Sequence, residues 1–433
     1  MKKNGFTLVE ITVCVVLLVT IFLIVVPKVN TMINNKKKNA YNSLISTVKD
    51  AAQAYVYLNV NIVDDAIESQ GYYEVSIRTL QENELLENKL ENPLTGKNIP
   101  STSIVKIIKN NEEYIYKFSL DYQYLLEHII DLYSSEETRI SNGLKKDNTP
   151  DQNIRYYGSD PNNYVSFNNE LWRIIGVFGN NVKLVRKDSL GSLSWDSSES
   201  SINGGVGINQ WGESKDADGK EYAGADLQVY LNKMYYGGTS VTCYGGTKNS
   251  TTTCPTNTLD NTAKALIDNH TWNTGAPNHS TLYNSTTQSY DTVEFYKAER
   301  GTVNGKICSS GTYCNDTVTR TTEWTGYIGL PYVTDYAYAS SENDCNTKID
   351  QSSTYKCKNN NWMHRSTSTW YMSPYAIPYN ATSVWYVYGD GSSGLSLAAD
   401  ALSAFPTIYL KSNVLIDSGK GTSSDPYILK AGL

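Results

Sequence analysis

The chain has 433 residues, which is room for more than one domain. Its formal net charge of -7 argues against a dedicated nucleic-acid binder. Tyrosine is abundant at 34 and phenylalanine scarce at 7, and polar aromatics of this kind suit half-wet contact surfaces. The first element along the chain is the run from Phe6 to Val26, uncharged at every position but Glu10. A helix rises about 1.5 Å per residue, so this run reaches about 31 Å, enough to cross the ~30 Å hydrocarbon core of a bilayer. A carboxylate in that medium costs at least ~2.5 kcal/mol, so Glu10 calls for a partner. An ordinary secretory signal has a core of ~7–15 residues and a small-residue cleavage site. Here the run ends in Val25-Val26-Pro27-Lys28.

Lys2-Lys3-Asn4-Gly5-Phe6-Thr7-Leu8-Val9-Glu10 resembles the processing site of type IV pilins and the related pseudopilins. The resemblance implies a leader of residues 1–5, cleavage after Gly5 by a prepilin peptidase, and N-methylation of the new terminus at Phe6. It implies that residues 6–27 form a transmembrane and assembly helix, with Glu10 paired to the terminal amine of a neighbouring pilin subunit. Two opposite charges in lipid each relieve the other's desolvation. Pro27 stands where pilin helices bend. The localisation implied is a single-pass membrane precursor that becomes part of an extracellular filament at the cell surface.

Residues 28–120 are expected to form a pilin-like head. Tyr41, Leu44, Ile45, Val48, Ala52 and Tyr55 recur at three- and four-residue steps, the mark of an amphipathic helix. Asn92 to Lys97 reads as a turn on its Pro and Gly. Ile104–Ile108 and Tyr114–Phe118 flank a polar Lys109–Glu113, a strand-turn-strand signal. Residues 121–150 read as a short helix around Tyr124–Leu132 followed by a linker. All eight tryptophans and six of the seven cysteines lie beyond, so residues 151–433 are expected as a separate module.

That module opens with Tyr164–Phe167, a turn at Asn168-Asn169, and two apolar runs joined by Gly179-Asn180-Asn181, a strong hairpin signal. Leu227, Tyr230, Leu231 and Met234 share a helical face. Residues 236–322, rich in Ser, Thr, Asn and Gly, read as loops clipped by disulfides. Later strands are expected at Ser383–Tyr388, at Thr407–Lys411 and near the carboxy terminus. The fold class expected is α+β: a long membrane-spanning assembly helix with a small pilin-like sheet, then a β-rich, loop-rich, disulfide-clipped domain. Tyr164–Phe167, Trp172–Gly176 and Tyr409–Val414 are similar to surface-protein domains of low-GC Gram-positive bacteria, more distantly to C-type-lectin-like and formylglycine-generating-enzyme-like folds. One departure is Phe405 before Pro406, where those domains carry Arg.

Cys14 lies in the apolar run. The other cysteines fall as neighbours: Cys243 with Cys254, Cys308 with Cys314, Cys345 with Cys357. An even set in polar loops reads as disulfides of an oxidising compartment, and the order of pairing follows only from proximity. The spacing fits no metal site. His128, His270, His279 and His364 stand singly, and neither Asp216–Glu221 nor Gly389-Asp390-Gly391 fits a calcium loop. The sequence therefore predicts no metal, no cofactor and no enzyme. Aromatics crowd the stretch from Trp324 to Tyr388, mostly as core, with a minority available for a binding face. The function expected is a minor or tip pilin-like subunit presenting its carboxy-terminal module to a surface ligand. The alternatives are a pseudopilin of a secretion or DNA-uptake machine, or a filament-carried enzyme of formylglycine-generating-like fold.

Overall fold

The computed structural model describes residues 36, 39–93, 98–110, 113–118, 123–197, 209–215, 221–278, 282–286, 289–303, 306–307, 322–350, 357–375 and 382–431. The chain divides into two compact units between Gln123 and Tyr124. Composition steps nearer residue 150, but helices Leu125–Ser134 and Glu136–Ser141 belong to the larger, carboxy-terminal unit. Gly5, Phe6, Glu10 and Pro27 lie outside the described residues, as do Cys308 and Cys314.

Within the described residues of the amino-terminal unit, a helix over 39–58 continues as Val60–Gln70. Val48, Ala51, Ala52, Val56 and Val63 form its buried stripe, at the three- and four-residue steps that a helical face requires. Gly71 ends the helix at φ +86°, and its N–H donates to the Ile67 carbonyl at 2.8 Å. A three-stranded antiparallel sheet follows, ordered Tyr73–Ser76, Ile104–Asn110, Glu113–Phe118. Val105 and Ile107, two residues apart, both point into the core with no exposed surface. Ser76 caps the short helix Ile77–Glu82 by accepting from the Thr79 N–H at 3.0 Å.

The carboxy-terminal unit is built on a large sheet whose order runs Ile328–Gly329, Thr407–Leu410, Asn181–Arg186, Glu170–Phe178, Tyr164–Phe167, Tyr427–Lys430, Leu415–Ser418. Asn168 and Asn169 both take positive φ, 55° and 56°, the two-residue hairpin turn that matches strand twist. Ile154–Tyr156 also pairs with Glu170–Phe178. Gly176 lets it approach, since a Cβ there would collide with the Ile154 carbonyl. A second sheet orders Ser192–Ser194, Ala401–Ser403, Thr369–Pro374, Ser383–Val387, Ser393–Leu397. The core is aromatic: Trp172, Trp195, Trp211, Trp272, Trp370 and Trp385 are all fully buried. Their indole N–H groups find backbone acceptors in several cases, Trp370 on Leu193 O at 2.9 Å and Trp385 on Pro277 O at 3.0 Å.

Two expectations are corrected here. The α+β class led by a long membrane-spanning helix gives way to a mixed α/β arrangement, about 28% helix and 32% strand over many sheets. Helices Asn261–Leu266, Thr292–Glu299 and Val333–Tyr338 interleave with strands along the chain, so the stretch read as clipped loops holds helices. Asp260 and Asp291 cap the first two by accepting from Ala263 N and Glu294 N, which the polar composition of that stretch concealed. Second, among the described residues no helix is long and apolar enough to cross a membrane. The helix over 39–58 alternates its apolar stripe with Lys49, Asp50 and other polar groups. This conflicts with the expected single-pass membrane precursor and with the cell-surface localisation drawn from it.

Among the described residues two disulfides are present. Cys243–Cys254 clips the strand pair Cys243–Tyr244 and Thr251–Thr252, with Cα atoms 5.2 Å apart. Cys345–Cys357 ties a short turn to the segment before Trp362, at 5.4 Å.

Candidate binding cleft

Two constellations of polar side chains stand out in the carboxy-terminal unit, one closed and one open. The closed one centres on Asp335 in the buried helix Val333–Tyr338. Its carboxylate accepts from Arg155 Nη1 and from Lys183 Nζ, each at 2.6 Å, and from the Tyr332 N–H at 2.9 Å. Arg155 Nε also donates to Asp147 at 2.6 Å. Asp147 in turn accepts from Thr149 Oγ1 and from the Asn153 backbone and side-chain amides. Burial pushes the Asp335 carboxyl upward, and the neighbouring Lys183 and Arg155 more than offset it, so the group is held below its ordinary range. Lys183 lies 4.2 Å from the Tyr332 ring centre, and Arg155 lies 4.6 Å from that of Phe178. Two cations and two anions thus cancel in a region closed to solvent. Such a network holds the fold; breaking it would strand a buried charge.

Glu299 lies beside this network, fully buried, and accepts from Thr334 Oγ1 at 2.5 Å and Thr334 N at 3.2 Å. Burial is the main reason its pKa rises to about 7. His128 is half-buried against the Tyr427 hydroxyl, 2.9 Å away, and burial lowers its pKa to about 4. His270 stacks on Tyr409 with ring centres 3.7 Å apart, and its Nδ1 is 3.1 Å from Asp268. These histidines are packing residues. Among the described residues no group of three or more His, Cys, Asp or Glu side chains is placed to hold a metal ion.

The open constellation is a cleft of about 450 Å³ assembled from four separated segments: Glu213, the helical turn Gln228–Tyr236, Asn269 and Trp324–Tyr327. Its volume falls within the range of small-molecule sites, roughly 300–1,000 Å³. Its back wall is unusual in backbone terms. The α-helix Asp226–Val229 passes directly into a π-helix, Tyr230–Tyr236. The π-helix is rare and concentrates at functional sites. Asn232 inside it is fully occupied in fixing the facing loop: its Nδ2 donates to Ile328 O at 2.9 Å and its Oδ1 accepts from Tyr327 N and Ile328 N. Tyr236, at the end of the π-helix, then stacks on Tyr327 with ring centres 4.0 Å apart and planes 10° from parallel.

Trp324 forms the other aromatic surface. Added Cβ atoms at Gly212 or Gly326 would collide with its indole, so the ring fits closely over both glycine backbones. Its Nε1 donates to Glu213 Oε2 at 3.0 Å, and the buried Gln228 amide reaches Glu213 Oε1 at 3.4 Å. Glu213, Lys233 and Asn269 are exposed at the rim. No family model, curated protein or solved structure matches this chain. What the cleft can do is therefore read from its own chemistry: ring faces fixed in place, with a carboxylate, an ammonium and an amide around them.

Of the residues singled out from sequence, the structure brings Trp324 and Tyr327 to this cleft. Trp362, Trp370 and Trp385 are core. Glu213, Gln228, Lys233, Tyr236 and Asn269 were not anticipated. The only signal was weak: a tryptophan two residues before a glycine and three before a tyrosine, Trp324-Thr325-Gly326-Tyr327.

Proposed function

We propose that this chain is a non-enzymatic binding subunit of a pilin-type filament, cut after Gly5, N-methylated at Phe6 and joined to neighbouring subunits through Glu10. The carboxy-terminal unit is its binding module. The observation that carries the binding half is the cleft itself: aromatic rings fixed by a π-helix and two glycines, open to a polar rim. The described buried charged groups around Asp335 are neutralised by one another and serve the fold. The filament half rests on Gly5, Phe6 and Glu10, where an acid and a new amine are spaced to neutralise each other between protomers. Tyr57, Leu58, Val60 and Ile62 are exposed apolar side chains on the amino-terminal unit, available for a protein contact.

The test is replacement of Glu10 by Ala in the full chain, followed by recovery of filaments from cells producing it. Loss of the variant from the filaments, with both described disulfides still formed, is the expected result. Incorporation at the wild-type level refutes the assembly role.

A further inference from the structure

We infer that the cleft between the π-helix and Trp324 binds a neutral saccharide. This rests on the binding reading above and names its ligand class. The inference starts from what the site must satisfy. A ligand here meets Trp324 and Tyr327, the latter with one face already stacked on Tyr236, and aromatic faces carry the negative part of the ring quadrupole. They favour a partner whose flat side presents weakly positive C–H groups, as one face of a pyranose does.

Charge narrows the class further. Among the described residues that line the cleft, the charged ones are Glu213 and Lys233, both exposed. A phosphate-bearing ligand would meet Glu213 in repulsion, and a quaternary amine would meet Lys233. A neutral polyol meets neither penalty: its hydroxyls both donate and accept, so they can bond Glu213, Lys233 and the Asn269 amide together. Positional rigidity supports the same end. The Trp324 indole is held by its bond to Glu213 at 3.0 Å and by close glycine backbones. Tyr327 is held by the Asn232 amide through its backbone N–H. Side chains fixed before the ligand arrives lose little entropy on binding, which weakly binding sugars require.

The experiment presents the purified full chain with three probe classes: methyl glycosides of glucose, galactose and N-acetylglucosamine with the disaccharides lactose and cellobiose; an acidic peptide; and a single-stranded oligonucleotide. Saturation-transfer NMR reads contact, and titration of tryptophan fluorescence reads affinity. The expected result is transfer to the C–H protons of at least one sugar, with affinity falling at least about tenfold in Trp324→Ala. The exposed substitution Asn269→Ala, which leaves the packing intact, should lower affinity severalfold and so separates ligand loss from unfolding. Capture of the peptide or the oligonucleotide instead, dependent on Trp324, overturns the saccharide assignment while the binding reading stands. Capture of no probe overturns both. Sugar binding unchanged in Trp324→Ala and Asn269→Ala overturns the site.

Discussion

The two units solve the burial problem with different materials. The amino-terminal unit packs a small aliphatic core, Val48, Val63, Leu80, Val105 and Ile107, and among its described residues no charged side chain is buried. The pair of Lys109 with Asp64, at 3.1 Å and about one-third exposed, is typical. The carboxy-terminal unit buries six tryptophans completely and also encloses Arg155, Lys183, Asp147, Asp335 and Glu299. Aliphatic packing depends on volume, whereas an aromatic core with enclosed charges depends on exact partners. One unit should therefore yield gradually to mutation, and the other should fail at single atoms.

The largest effect expected is at Asp335. Replacing it by Ala strands Lys183 and leaves Arg155 with Asp147 alone, and should destabilise the carboxy-terminal unit by about 3–5 kcal/mol. All eight tryptophans lie beyond residue 150, so tryptophan fluorescence in a denaturant titration follows this unit alone. An unchanged midpoint would erase the contrast between the units. Next comes Glu299, whose pKa is raised by burial to about 7 from 4.5. The folded state then binds this proton more tightly than the unfolded state. The stabilisation is full below pH 4.5 and is lost as pH rises through about 7, a swing of about 3 kcal/mol. Glu299→Gln should flatten that slope. The difference between the two proteins isolates it from His128, whose lowered pKa tilts stability the other way.

Smaller effects sharpen the comparison from the local side. Replacing Cys243 and Cys254 together by Ser opens a loop with a sequence separation of 11 and should cost about 2–3 kcal/mol, read by the same fluorescence titration. In the amino-terminal unit, Ser76→Ala removes the cap on Thr79 N and should cost about 1 kcal/mol, read by hydrogen exchange at Val105 and Ile107. A larger loss there would mean that the aliphatic unit is as brittle as the aromatic one.

Local signals in the sequence carried several hairpin turns and the strands that flank them. Asn168-Asn169 and Gly179 announce their hairpins because few other residues accept positive φ. The charged core was hidden. Lys183 sits within Val182-Lys183-Leu184-Val185 as an ordinary outward-facing strand residue would, and its partner Asp335 is 152 residues away. The π-helix was equally hidden, since Leu227, Tyr230, Leu231 and Met234 fit an α-helical face. The cleft draws on four segments that only the fold brings together. Trp324 could be flagged as aromatic, but whether it would be core or surface depended on Gly212, which is far off in sequence.

The most direct test of the filament reading is the intact mass of the chain recovered from assembled filaments, with its amino-terminal peptide sequenced. The expected chain begins at Phe6, carries one methyl group on its amine, and retains Glu10. A recovered chain that still begins at Met1, or that has lost residues 6–27 altogether, would contradict it.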